Sequence, residues 1–91
     1  MRAVYTVWFR ELTLPADDPE SEWPACMIIR AASEPRAKAW GDHLAARYSA
    51  SHRQLVLGSK IEPVECSTLP GLDSLPEIAD GNEATDAEIG W

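Results

Sequence analysis

Two histidines, two cysteines and a run of C-terminal oxygen donors are the side chains of this 91-residue chain best suited to chemistry. Asp80, Asn82, Asp86 and Glu88, within "DGNEATDAEIGW", have the composition of a calcium loop. An EF-hand spacing would also need an oxygen ligand, a glycine and a glutamate where this chain has Ala84, Thr85 and Trp91. The same stretch reads better as a helix start. Thr85 and Glu88 have the spacing of a capping box, Asp86 places a carboxylate at the positive end of the helix dipole, and Gly90 stops the turn. Ile89 and Trp91 then become apolar anchors. The expectation is no metal and no cofactor.

Catalysis by a nucleophile needs a histidine beside a serine or cysteine and an acid to orient it. His43 adjoins Asp42, but successive helical residues point about 100° apart and do not pair face to face. His52 falls in the polar stretch "SASHR". Cys26 and Cys66 lie far apart in apolar runs, without a CxxC spacing, and read as small buried hydrophobes in a reducing cytoplasm. There is no glycine-rich phosphate loop. No independent enzymatic activity is expected.

The elements that must position these residues begin with "AVYTVWFREL", residues 3–12. It is rich in β-branched and aromatic side chains on both faces, so it reads as a central strand. Residues 13–24 hold three prolines and four acids and read as a loop containing Trp23. A short strand over 25–31 leads to a helix with Ser33 as N-cap and Glu34 and Pro35 in its first turn. The helix is expected to run to about Ser49, with Ala37, Trp40, Leu44 and Tyr48 as its apolar stripe. Gly41 lies on the same side, where a close approach to the sheet would explain it. Residues 54–65 read as a third strand, bent, bulged or at an edge because of Gly58 and Pro63. Beyond Cys66 the repeated Leu–Pro and Pro–Gly steps suggest an extended segment. The expected fold is α+β: a two-layer ββαβ core, residues 1–66, with a three-stranded, mostly antiparallel sheet of order 2-1-3 and one amphipathic helix. An acidic C-terminal extension, residues 67–91, packs on the core or on a partner. Trp8 and Trp40 are assigned to the core.

Charge is divided unevenly. Residues 1–60 carry all eight bases and sum to +1, whereas residues 61–91 carry no base and sum to −8. This argues against direct nucleic-acid binding, which is built on clustered Lys and Arg, and favours a protein partner with a basic surface. No run approaches the roughly 18–20 apolar residues of a membrane span, and no leader is recognisable, so the expected location is the cytoplasm. The alanine- and arginine-rich composition fits a bacterial origin. These features together predict a small acidic, non-enzymatic protein-interaction module, in size and charge like an accessory or immunity-type subunit of a bacterial system. Its expected partner-binding residues are Trp23, Asp86, Glu88, Ile89 and Trp91. Deleting residues 80–91 should then abolish partner capture and leave the core folded. The alternative is a homo-oligomeric scaffold or small-ligand sensor, dimerising through the sheet face that the helix leaves bare.

Overall fold

A computed structural model describes residues 1–91. The N-terminal run forms β1 (Arg2–Glu11), and a short loop leads to β2 (Glu22–Arg30). The helix α1 (Glu34–His52) follows, then β3 (Gln54–Pro63), two single 3₁₀ turns, a three-residue strand β4 (Glu77–Ala79) and a one-turn helix α2 (Asp86–Ile89). The sheet order is β3-β1-β2-β4. β1 is antiparallel to both β2 and β3, and β4 is parallel to β2. The protein is therefore α+β with one main helix, and its sheet is mixed and four-stranded. The expected arrangement of β1, β2 and β3 stands within it; the three-stranded count does not, because β4 adds to the outer side of β2.

Local chemistry accounts for the helix boundaries. Ser33 is extended and its hydroxyl accepts the Arg36 N–H at 3.4 Å, while Pro35 occupies a position whose N–H would have no partner. α1 continues one turn past the expected end and stops at Arg53, a non-glycine residue in the left-handed region at φ 52°. Its buried stripe is Ala37, Gly41, Leu44, Ala45 and Tyr48. Gly41 is required by packing: a Cβ there would sit 2.7 Å from Tyr5 Cγ and closer still to the ring edge.

Alternation along the strands sorts the sheet into two faces. Ala3, Tyr5, Val7 and Phe9 meet α1 together with Ala25, Met27 and Ile29 of β2, and all belong to one core. Ile78 of β4 and Ala84 and Ile89 of the C-terminal stretch belong to that same core. Burying one large aliphatic or aromatic side chain contributes about 1.5–3 kcal/mol, so the C-terminal residues are a sizeable part of a core this small.

The second face is only partly covered. To join β3 to β4 at the opposite edge, residues 64–76 must cross β1 and β2. α1 already occupies one face, and the crossing covers the lower end of the other, where Val4, Thr6 and Ile28 are buried. Towards the upper end of the same face Trp8 is 38% exposed, Leu55 43% and Leu57 45%. Trp8 is thus not the core residue expected of it. β1 has two apolar faces, and only one of them is fully roofed.

Three further expectations change. β2 begins at Glu22, so Trp23 and Pro24 are strand residues and not part of a loop. β4 pairs only with Ile28–Arg30, which leaves the start of β2 a free edge where proline forfeits no ladder bond. The third strand ends at Pro63, and the expected irregularity at Gly58 is a register shift: Gly58 faces Trp8, Val56 faces Phe9, and Leu57 is the extra residue. The cysteines are also less buried than expected, Cys26 half-buried and Cys66 exposed, and both are free thiols.

Candidate functional site

The C-terminal stretch is laid along α1 as a strap. Arg36, Trp40, His43 and Arg47 lie at spacings of four, three and four, which puts them on one helical stripe. Asp80, Glu83 and Asp86 recur every third residue and meet that stripe in order. Arg36 Nε donates to Asp80 at 3.0 Å. Trp40 Nε1 donates to the Asn82 carbonyl at 3.0 Å. Glu83 contacts His43 Nε2 at 2.6 Å and Arg47 at 2.9 Å, and Arg47 also donates to the Ala84 carbonyl. Asp86 lies 3.6 Å from both Arg47 and His52. Earlier in the segment, Glu77 binds Arg2 at 2.7 Å and Arg30 at 2.8 Å. Exposed pairs of this kind contribute about 0–1 kcal/mol each; they fix the path of the strap more than its stability.

Stability comes from the strap's end. The capping box is formed: Thr85 Oγ1 accepts the Glu88 N–H and the Glu88 carboxylate accepts the Thr85 N–H. Gly90, at φ 85°, turns the chain so that Trp91 packs on the core. The Trp91 ring lies 5.3 Å from Phe9 and 5.4 Å from Tyr48, edge to face. Trp23 joins the cluster at 4.9 Å from Phe9 and 6.2 Å from Tyr48. Trp91 Nε1 is buried with no acceptor, so the indole contributes area here and no hydrogen bond. The Trp23 indole donates to Gln54 at 3.0 Å, and Gln54 in turn donates to Glu11. Hydrogen bonds from Thr13, then from Gln54, hold the Glu11 carboxyl below its ordinary range.

These contacts place each residue expected to bind a partner. Trp23, Ile89 and Trp91 come together in one aromatic–aliphatic cluster with Phe9 and Tyr48 of their own chain. Asp86 is turned to Arg47 and His52, and Glu88 is exposed and engaged in the capping box. The expectation of a basic partner rested on the acidity of residues 61–91, and four of those eight carboxylates, Glu77, Asp80, Glu83 and Asp86, meet bases of this same chain. The helix stripe and the every-third-residue acids were both visible in the sequence as complementary patterns. The C-terminal donors considered for calcium diverge onto Arg36, Arg47, His52 and the Thr85 cap, and no three His, Cys, Asp or Glu side chains converge.

One titratable cluster lies between α1 and β3. Asp42 accepts from Tyr5 Oη at 2.7 Å, Ser59 Oγ at 2.6 Å and Lys38 Nζ at 2.9 Å. Burial pushes the Asp42 carboxyl up, but the bonds from Ser59, Tyr5 and Lys38 outweigh it and hold the group below its ordinary range. Burial, and then Asp42, push the Tyr5 phenol far upward, so it stays protonated and donates to Asp42. An ionised carboxylate of lowered pKa is a weak base, and the cluster ties helix to sheet. The sign of its pH effect follows. A depressed folded-state pKa contributes stability above the unfolded value that is lost as pH falls through the folded one. Wild-type stability should therefore decline from roughly pH 4 downward, and Asp42→Asn should flatten that part of the curve, as read by urea melts across pH.

A shallow cleft of about 370 Å³ lies over Pro35, Arg36, Ala39, Trp40, His43 and Asp80. Its charged groups are already engaged, Arg36 with Asp80 and His43 with Glu83 while stacked on Trp40 at 4.7 Å. The remaining surface with unmet needs is the upper end of the open sheet face. Trp8, Leu55 and Leu57 are exposed there, with Pro24 across from Trp8 and Leu12, 50% exposed, at the end of the strand pair. Comparison with protein-family models, curated proteins and solved structures found no match. No helix is long and apolar enough to cross a membrane.

Proposed function

We propose that the protein is a non-enzymatic interaction module that docks a protein partner on the upper end of its open sheet face. One observation carries this reading: three large apolar side chains, Trp8, Leu55 and Leu57, stand together in water on a rigid sheet whose opposite face is fully packed. With Leu12 they expose about 300–400 Å² of apolar surface, the size at which a patch on a monomer is commonly functional. The edges of the sheet are less inviting than its face. β4 has three residues, and β3 is interrupted by the bulge at Leu57, by Gly58, by Lys60 and by Pro63, devices that discourage strand addition. An accessory or immunity-type role in a bacterial system fits a module of this size with one docking face.

The alternative, a homo-oligomeric scaffold, would use the same face. A stable complex buries about 800 Å² per partner, roughly twice the patch, which favours a smaller or weaker contact over a permanent dimer.

The test is comparative capture from the native host. Leu55→Asp combined with Leu57→Asp, both at exposed positions, should leave the melting temperature within a few degrees and reduce retention of a specific partner at least about tenfold. Undiminished capture by the folded double variant would refute the reading.

A further inference from the structure

The bases of this chain are divided by the fold into two sets. Arg2, Arg30, Arg36, Lys38 and Arg47 each have a carboxylate within 4.0 Å. Arg10, Arg53 and Lys60 have none within that distance. Arg10 and Lys60 lie on the open sheet face that carries the exposed apolar patch, and Arg53 stands at the start of the strand that supplies Leu55 and Leu57. Arg10 stands on the open face, directly across from Leu55 and two residues along β1 from Trp8. Arg53 immediately precedes β3, and its carbonyl accepts the Leu12 N–H at 3.0 Å. Lys60 follows the bulge on the same face, across from the buried Thr6. Arg10 Nε is buried with no acceptor, a donor left unsatisfied in the isolated chain. Arg53 holds a left-handed helix C-cap that glycine would occupy without the cost of about 1 kcal/mol.

On this reading of the sheet face as a docking surface, we infer that its occupant is a short acidic–apolar segment of another protein. Its apolar side chains cover Trp8, Leu55 and Leu57, and its carboxylates meet Arg10, Arg53 and Lys60. The acids nearest these bases are Glu22 across from Arg10, Glu11 bound to Thr13 and Gln54, and Glu62 near Lys60, none of them paired to these bases. Asp17, Asp18 and Glu20 lie in the β1–β2 loop beyond the end of the sheet. The patch area suits a segment and falls short of a full dimer interface. The chain's own strap is the internal parallel: acids and apolar anchors laid on a basic, aromatic stripe.

The experiment uses the full ¹⁵N-labelled protein and three short synthetic peptides. The first alternates glutamates with leucines and isoleucines, the second has lysine for every glutamate, and the third has serine for every apolar residue. The expected result is that only the first shifts the Trp8 indole and the amides around Leu55 and Leu57. Its affinity should fall about tenfold in Arg53→Gln combined with Lys60→Gln and again on raising salt, because both terms act through screened charge. These two residues are at the surface, so folding does not confound the readout; Arg10→Gln is the third member of the series. Equal or tighter binding of the lysine peptide at the patch would overturn the acidic preference and leave the docking face standing. Concentration-dependent shifts of the patch without peptide would overturn it in favour of a second copy of the chain. Peptide shifts confined to α1 and the strap would overturn both the inference and the reading on which it rests.

Discussion

Ile89→Ala is expected to cost about 2–4 kcal/mol and to lower the melting temperature by more than about 10 °C. Ile89 is 2% exposed and sits in the core with Ala84, Ile78 and the α1 stripe. A domain of this length has a total stability of about 5–14 kcal/mol, so one such substitution removes a large share. Deleting residues 80–91 removes Ile89, Trp91 and the ionic contacts of Asp80, Glu83 and Asp86 at once, and uncovers Phe9 and Tyr48. That truncated chain is expected to be unfolded or molten, the reverse of what an acidic tail offered to a partner would give. Glu88→Gln is the control: it lies on the exposed side of α2 and should shift the midpoint by at most a few degrees. Thermal or urea melts followed by far-UV circular dichroism read all three. An Ile89→Ala protein as stable as wild type would mean the strap is not seated.

Gly41→Val is the second large effect. Any Cβ at this position overlaps the Tyr5 ring, which is fully buried and cannot swing away without breaking its bond to Asp42. Overpacking of this kind costs about 1–3 kcal/mol, and the Cβ alone already overlaps three atoms of the Tyr5 ring, so the upper end is expected. Restoring space by Tyr5→Ala in the same chain should recover part of the packing strain while costing the Asp42 hydrogen bond, and the double-mutant cycle should show coupling of at least about 0.5 kcal/mol. Additivity of the two substitutions would show that they do not share the contact.

Much of the core was legible in the sequence because it depends on local pattern. Ser33, Pro35 and the apolar stripe placed α1, Gly41 signalled a close approach, and Thr85 with Glu88 marked the last helical turn. What escaped depends on position in the sheet. Glu77–Ala79 is too short for a two-residue period to stand out, and its strand character comes from the free side of β2. Trp23 and Pro24 look like loop residues until one sees that β4 leaves that part of β2 unpaired. Trp8 looks buried because β1 is apolar on both faces; where residues 64–76 cross decides which of those faces stays wet. The charge asymmetry was plain, but its complement was sought outside the chain, although Arg36, His43 and Arg47 already formed a stripe to receive Asp80, Glu83 and Asp86. Local pattern alone therefore points to the strap as the docking segment, whereas nothing local distinguishes Arg10, Leu55, Leu57 and Lys60. They become a group only when the sheet pairs β1 with β3.

The most direct test of the proposed docking face is site-specific photocrosslinking in the native host, with a photoreactive phenylalanine analogue placed at Leu57 or at Glu88. Both positions are exposed, so both variants should fold. A discrete adduct to a second protein is expected from position 57 and none from position 88. An adduct from position 88 with none from position 57 would contradict it, returning the docking role to the C-terminal strap.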